Sequence, residues 1–158
     1  VDGLYRTMLL NPGRPRAFSN LGAYLRYESD SLTDRQRELV ILRVAGVNRS
    51  AYEWIKHVPP GLEAGIDEET IEALRVGEIP DSLTAGEKAM LEATDIALER
   101  EVLPEGLQAA LLEELGEDGT IELVILTGIY AATAGFLAAF EVPLPEGFGD
   151  PFSGTSRD

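Results

Sequence analysis

Cysteine is absent from this 158-residue sequence, and histidine occurs once. The first absence excludes a disulfide framework, a thiolate metal site, a thiol peroxidase cycle and a cysteine nucleophile. The second argues against a zinc site built by the protein alone. Redox logic therefore leaves the compartment open, and with no basic segment leading into a short apolar run at the start, the expectation is a cytoplasmic protein. Basic residues are scarce after residue 60. Residues 1–60 carry nine Lys or Arg against six acids, whereas residues 61–158 carry four against 22, for a total of -15. Such a charge repels a phosphate backbone, and no basic stripe with interleaved aromatics offsets it, so no nucleic-acid partner is expected. A small anionic organic molecule near the basic first part is the expected ligand class. No nicotinamide, flavin or phosphate-loop signature is present, and no cofactor is expected.

Long hydrophobic runs are also few. The exception is Leu123 to Phe140, 18 residues without a charge, bracketed by Glu122 and Glu141. That length is at the lower edge of a membrane span, but alanines, glycines and threonines dilute its hydrophobicity and no basic cluster flanks it. The reading is a helix buried in a core or a subunit interface, with no membrane partner.

Helical periodicity dominates and strand alternation is missing, which predicts an all-α chain. Arg16 to Ser29 reads as a helix confined at its start by Pro12 and Pro15. Thr33 with Gln36 makes a capping box for a helix to about Val47, and Ser50 with Glu53 makes another for a helix that Pro59 and Pro60 should stop near Val58. A further helix starts near Asp67. Thr84 with Glu87 caps one to about Val102, Glu105 to Leu115 ends at Gly116, and Thr120 to Phe140 is the apolar helix. Residues 1–150 are expected to form one domain, with 151–158 a flexible tail. The pentapeptide ELVIL occurs at Glu38 to Leu42 and again at Glu122 to Leu126, which raises the expectation of a second related helical half. Carrying that offset forward sets Ala134, Leu137 and Glu141 against Ser50, Glu53 and His57.

The stretch RELVILRVAGVNRSAYEWIKH holds the residues that could do chemistry. Glu53 and His57 are four apart on one helix, so their side chains can meet. Glu38 lies on the preceding helix, from which a carboxylate could orient the imidazole and raise its basicity. An imidazole with an ordinary pKa of about 6.5 suits proton transfer near neutrality. Arg43, Arg49 and Lys56 could supply positive charge to a carboxylate or an enolate-like intermediate. Each also has a structural reading: Ser50 and Glu53 as caps, His57 as a helix-end residue, Trp54 and Tyr52 as packing.

From FSNLGAYLRYESDSLTDRQRELVILRVAGVNRSAYEWIKHV through GIDEETIEALR to IELVILTGIYAATAGFLAAFEVPLPEG, the sequence resembles the carboxymuconolactone decarboxylase-like family, which shares an all-α fold with alkylhydroperoxidase D-like proteins. In the peroxidase-like branch the resemblance sets the two redox cysteines at Ser50 and Glu53, the assisting histidine at His57 and a proton-relay glutamate at Glu38. A hydroxyl and a carboxylate form neither sulfenic acid nor disulfide, so that activity is not expected. The decarboxylase branch implies a site of Glu38, Glu53 and His57, with His57 as proton donor, Glu38 as its orienter and Glu53 as a second polar group. Arg43 is then the candidate anion clamp, and Ser50, Trp54 and Lys56 complete the candidate substrate contacts. Lys56 stands where relatives often carry another histidine. The resemblance also implies a homo-oligomer, a dimer, trimer or hexamer. The expected function is a cofactor-free decarboxylase or proton-transfer enzyme acting on a small carboxylated lactone or keto acid. The alternative is a noncatalytic small-molecule binder or structural oligomer of the same fold.

Overall fold

The computed structural model describes residues 3–8, 11 and 13–154. Among them every regular element is helical: α1 (Gly3–Met8), α2 (Gly13–Ala23), a π-helical turn (Tyr24–Glu28), α3 (Asp34–Asn48), α4 (Ala51–Glu63), α5 (Glu68–Arg75), α6 (Ala85–Glu99) and α7 (Glu105–Ala139). Pro12 and residues 155–158 lie outside the described residues.

Thr33 starts α3 with the expected capping box. Its hydroxyl accepts from the Gln36 amide at 3.2 Å, and the Gln36 side chain accepts from the Thr33 amide at 2.9 Å. Thr84 and Glu87 do the same for α6 at 3.1 and 2.9 Å. α3 is buried on all sides because it is surrounded: every residue from Arg37 to Gly46 is buried, Arg37, Glu38 and Arg43 included, and α4, α5, α6 and α7 all pack on it. Leu39, Leu42 and Ala45 meet Trp54, Ile66, Leu74 and Leu91 in one core, while Val40, Ile41 and Val44 meet Met90, Leu111, Leu123 and Leu126 in another. Each large aliphatic side chain so buried contributes roughly 1.5–3 kcal/mol. Gly46 lets α5 cross closely, since a Cβ there would stand 2.5 Å from the Leu74 carbonyl oxygen.

The elbow between α3 and α4 is a tight reversal. Arg49 takes a left-handed conformation with φ of 52°, and the Ser50 amide donates to the Ala45 carbonyl at 2.8 Å. Arg49 also donates to the Phe152 carbonyl at 2.6 Å, with its guanidinium over that residue's ring. Phe152 is buried edge-on against Trp54, and Arg75 donates to the Pro151 carbonyl at 2.9 Å. These contacts anchor the chain at residues 151–152, and residues 155–158 of the expected tail lie outside the described residues.

Pro59 and Pro60 do not stop α4, which runs to Glu63. Proline lacks a donor but keeps its acceptor, and the Pro60 carbonyl still receives the Ala64 amide at 2.9 Å. Gly61, on the following turn, seats against Leu42 and Ile66 of the core. The helix foreseen over Arg16 to Ser29 is α2 plus the π-helical turn. Gly116, with φ of 69° and ψ of −176°, breaks α7 where a boundary is expected, although the helical segments abut without a loop. An 18-residue window of α7 has a mean hydropathy of 1.8, which by length and composition alone matches a bilayer span and equally a core helix. One side of it is core, through Leu123, Leu126 and Leu137, while Ile121, Val124 and Ile125 are exposed.

Candidate active site

α4 is amphipathic and its inward side carries polar groups. Glu53 and His57 stand one turn apart on it, 3% and 5% exposed. Glu38, 5% exposed, faces them from α3. His57 Nδ1 and Glu38 Oε2 are 2.7 Å apart, so the buried pair foreseen from the spacing is formed. A carboxylate can only accept, which assigns the hydrogen to Nδ1 and leaves Nε2, the other ring nitrogen, with no hydrogen bond to the described residues. Tyr130 of α7 packs edge-on against the imidazole, with ring centroids 5.1 Å apart and planes at 84°. The ring is thus held on one side by a carboxylate and on another by an aromatic wall.

His57 and Glu53 both line a cavity of about 400 Å³ between α4, α7 and the amino-terminal helices. Arg26, Tyr27, Tyr52, Lys56, Tyr130 and Thr133 are among the other lining residues. Burial pushes the Glu53 carboxyl up from 4.5 to about 8, with the Ser50 hydroxyl pulling weakly the other way. Among the described residues neither Ser50 Oγ nor either Glu53 oxygen has a partner in full hydrogen-bond geometry. Near neutrality Glu53 is therefore mostly a neutral acid, able to donate as well as accept. Burial raises the Tyr130 hydroxyl as well, keeping it protonated.

Arg26 sits in the π-helical turn, its guanidinium 5.1 Å from the centroid of the Tyr27 ring, with no ion pair among the described residues. Arg26 and Tyr27 also line a second cavity of about 590 Å³, which borders the other side of the pair at Glu38 and Arg37. A more open cleft of about 600 Å³ shares Tyr52 and Lys56 with the first cavity but reaches neither Glu53 nor His57.

Several foreseen contacts lie elsewhere. Arg43 is gripped by Asp95 through two bonds of 2.7 Å and donates to the Gly77 and Glu78 carbonyls at 2.9 and 3.3 Å. It ties α3 to α6 and lines none of these cavities. Trp54 faces the core with Phe152. Ser50 begins α4 but forms no side-chain cap, which corrects the second capping box: the Glu53 side chain lines the cavity instead of reaching back to the residue-50 amide. Arg26, Tyr27 and Tyr130 were not foreseen. A tyrosine within an otherwise apolar helix is a legible signal, since its hydroxyl demands a polar outlet. Among the described residues no cluster of three or more His, Asp or Glu side chains could hold a metal ion.

A model of the carboxymuconolactone decarboxylase family matches residues 12–95, just over half of the chain and the part that holds Arg26, Glu38, Glu53 and His57. The chain belongs to this family. No curated protein matches the sequence. A crystal structure from Agrobacterium tumefaciens, of a protein of unknown function with a suggested role as the antioxidant defence protein AhpD, is similar with a TM-score of 0.76. Identity to it is 20%, over 86% of this chain and 93% of that one, a likeness that establishes the all-α AhpD-like fold. This family member has no cysteine at all, so it cannot run dithiol chemistry.

Proposed function

We propose that this family member is a cofactor-free enzyme that moves a proton on a small carboxylated lactone or keto acid, with decarboxylation as its reaction. The observation that carries this reading is the buried 2.7 Å pair of His57 and Glu38 bordering a ligand-sized cavity that also holds Glu53.

In a decarboxylation the carbon–carboxylate bond breaks, its electron pair passes into an adjacent conjugated carbonyl, and carbon dioxide leaves. The resulting enolate then takes a proton at carbon. Neutral Glu53 can hydrogen-bond the enolate oxygen as charge develops there. His57, once protonated, gives the proton from Nε2, and Glu38 at Nδ1 holds the ring and offsets the imidazolium charge. Arg26, in place of the Arg43 expected as clamp, is the cation available to the substrate's remaining anionic group. Lys56 adds positive charge at the rim.

Carbon dioxide release measured over a panel of carboxylated lactones and keto acids tests the reading. Release by the native protein that His57→Ala abolishes supports it. Release that persists in that variant removes His57 from the reaction, and silence across the panel favours a noncatalytic binder of the same fold.

A further inference from the structure

Four of the five tyrosines, Tyr5, Tyr27, Tyr52 and Tyr130, line the cavity that holds His57 and Glu53, as does Phe18. In the two large cores the buried aromatics among the described residues are Trp54 and Phe152, while Tyr130 packs against the core around Val40 and Ile41 and Tyr52 lies in a small third cluster with Leu137 and Val142. Aromatic side chains make up 7% of the sequence, and five of them border this one space. Flat π-faces reward another flat ring by roughly 0.5–1.5 kcal/mol per contact beyond its buried area.

Two polar features fix what such a ring must carry. The guanidinium of Arg26 pairs with no carboxylate of the described residues and presents a planar fork suited to two carboxylate oxygens. Glu53 is 3% exposed, lines the same cavity, and has both oxygens without a hydrogen-bond partner among the described residues. A buried polar group left in that state is destabilising, and a ligand hydroxyl or carbonyl would relieve it.

We infer, building on the reading of this cavity as the active site, that its ligand is a planar conjugated ring acid. It carries one carboxylate for Arg26 and one hydroxyl or carbonyl for Glu53. The cavity of about 400 Å³ has room for one such ring.

Calorimetric titration at neutral pH with 4-hydroxybenzoate and its saturated counterpart 4-hydroxycyclohexanecarboxylate tests this without requiring turnover. The aromatic acid should bind about ten-fold more tightly than the saturated one. Benzoate, which leaves Glu53 unsatisfied, should bind at least about ten-fold more weakly than its hydroxylated form. Arg26→Gln should weaken 4-hydroxybenzoate by about ten-fold or more, Arg26→Lys by less, and the exposed Arg16→Gln not at all. Equal binding of the flat and saturated rings, no binding of the aromatic acid, or indifference to Arg26→Gln overturns the inference. Ring-acid binding without carbon dioxide release from any substrate would keep the inference and sink the decarboxylase. Turnover of aliphatic lactones by a protein that ignores ring acids would do the reverse.

Discussion

The pentapeptide ELVIL occurs in the centre of α3 and again in α7, and the two copies lead different lives. In α3, Val40 and Ile41 are fully buried, whereas their counterparts Val124 and Ile125 in α7 are 41% and 45% exposed. Both leading glutamates are buried, yet Glu38 reaches the imidazole of His57 while Glu122 accepts a short hydrogen bond from the Ser29 hydroxyl. Further along, Ser50, Glu53 and His57 correspond to Ala134, Leu137 and Glu141. The same five residues thus build a buried carboxylate–imidazole pair in one place and a loop anchor in the other. What separates them is the helix that follows: α4 returns a histidine to Glu38, and nothing returns one to Glu122.

The largest effect should come from breaking that pairing. Glu38→Gln keeps the shape of the side chain but cannot stabilise an imidazolium, and should lower turnover by about 10²–10⁴-fold, the usual range for losing acid–base assistance. Glu122→Gln can still accept from Ser29 and should leave turnover within about two-fold. Steady-state rates of both variants on any substrate found to release carbon dioxide decide the matter. Equal losses would mean that the two glutamates act alike and that the contrast is merely positional.

Stability should show the next largest split. Ile41→Ala removes buried methyl groups from a core that cannot collapse around the gap, at a cost of about 2–5 kcal/mol. Ile125→Ala, made on an exposed helix side, should cost less than about 1 kcal/mol in the monomer. Urea unfolding of both variants at several protein concentrations checks this. A large, concentration-dependent loss at Ile125 would reveal that another surface covers it.

Much of this contrast was legible in the sequence, and its limits are physical. Capping chemistry is local, so Thr33 with Gln36 and Thr84 with Glu87 announced α3 and α6 correctly. The meeting of Glu38 and His57 follows from two antiparallel helices joined by a short elbow, whereas the four-residue spacing of Glu53 and His57 brings no hydrogen bond between them. Arg43 failed as a clamp because its partner, Asp95, is 52 residues away, and no local pattern marks that bond. Pro59 and Pro60 do not end α4 because the loss of two donors is local, whereas the seating of Gly61 against Leu42 is a tertiary contact with no mark in the sequence. Arg26 and the tyrosines went unseen because the cavity gathers them from α1, the π-helical turn, α4 and α7, and convergence of that kind is a tertiary fact.

Glu53 sharpens the comparison at its most chemical position, since the second copy has Leu137 there. Its folded pKa of about 8 lies above the ordinary 4.5, so between those values the folded protein holds a proton that the unfolded chain has released. This group's contribution is therefore fully present below about pH 4.5, falls as pH rises, and is lost above about 8. The slope is up to about 1.4 kcal/mol per pH unit. Glu53→Gln has no proton to lose. Urea unfolding from pH 5 to 9 should show the native protein weakening relative to the variant as pH rises, and parallel curves would show that Glu53 does not titrate across this range.

The smallest effect contrasts two residues that read alike in the sequence, Thr33 and Ser50, each three positions before a Gln or Glu. The Thr33 hydroxyl accepts the Gln36 amide at 3.2 Å, so Thr33→Ala should cost about 1 kcal/mol. Ser50 Oγ is buried and forms no hydrogen bond in full geometry among the described residues, so Ser50→Ala should shift stability by less than about 0.5 kcal/mol. Equal losses from the two substitutions would restore the capping reading of Ser50. Lost turnover from Ser50→Ala with unchanged unfolding would instead place that hydroxyl in the chemistry of Glu53, because a cap can fail only through stability, whereas a group acting on substrate can fail with the fold intact.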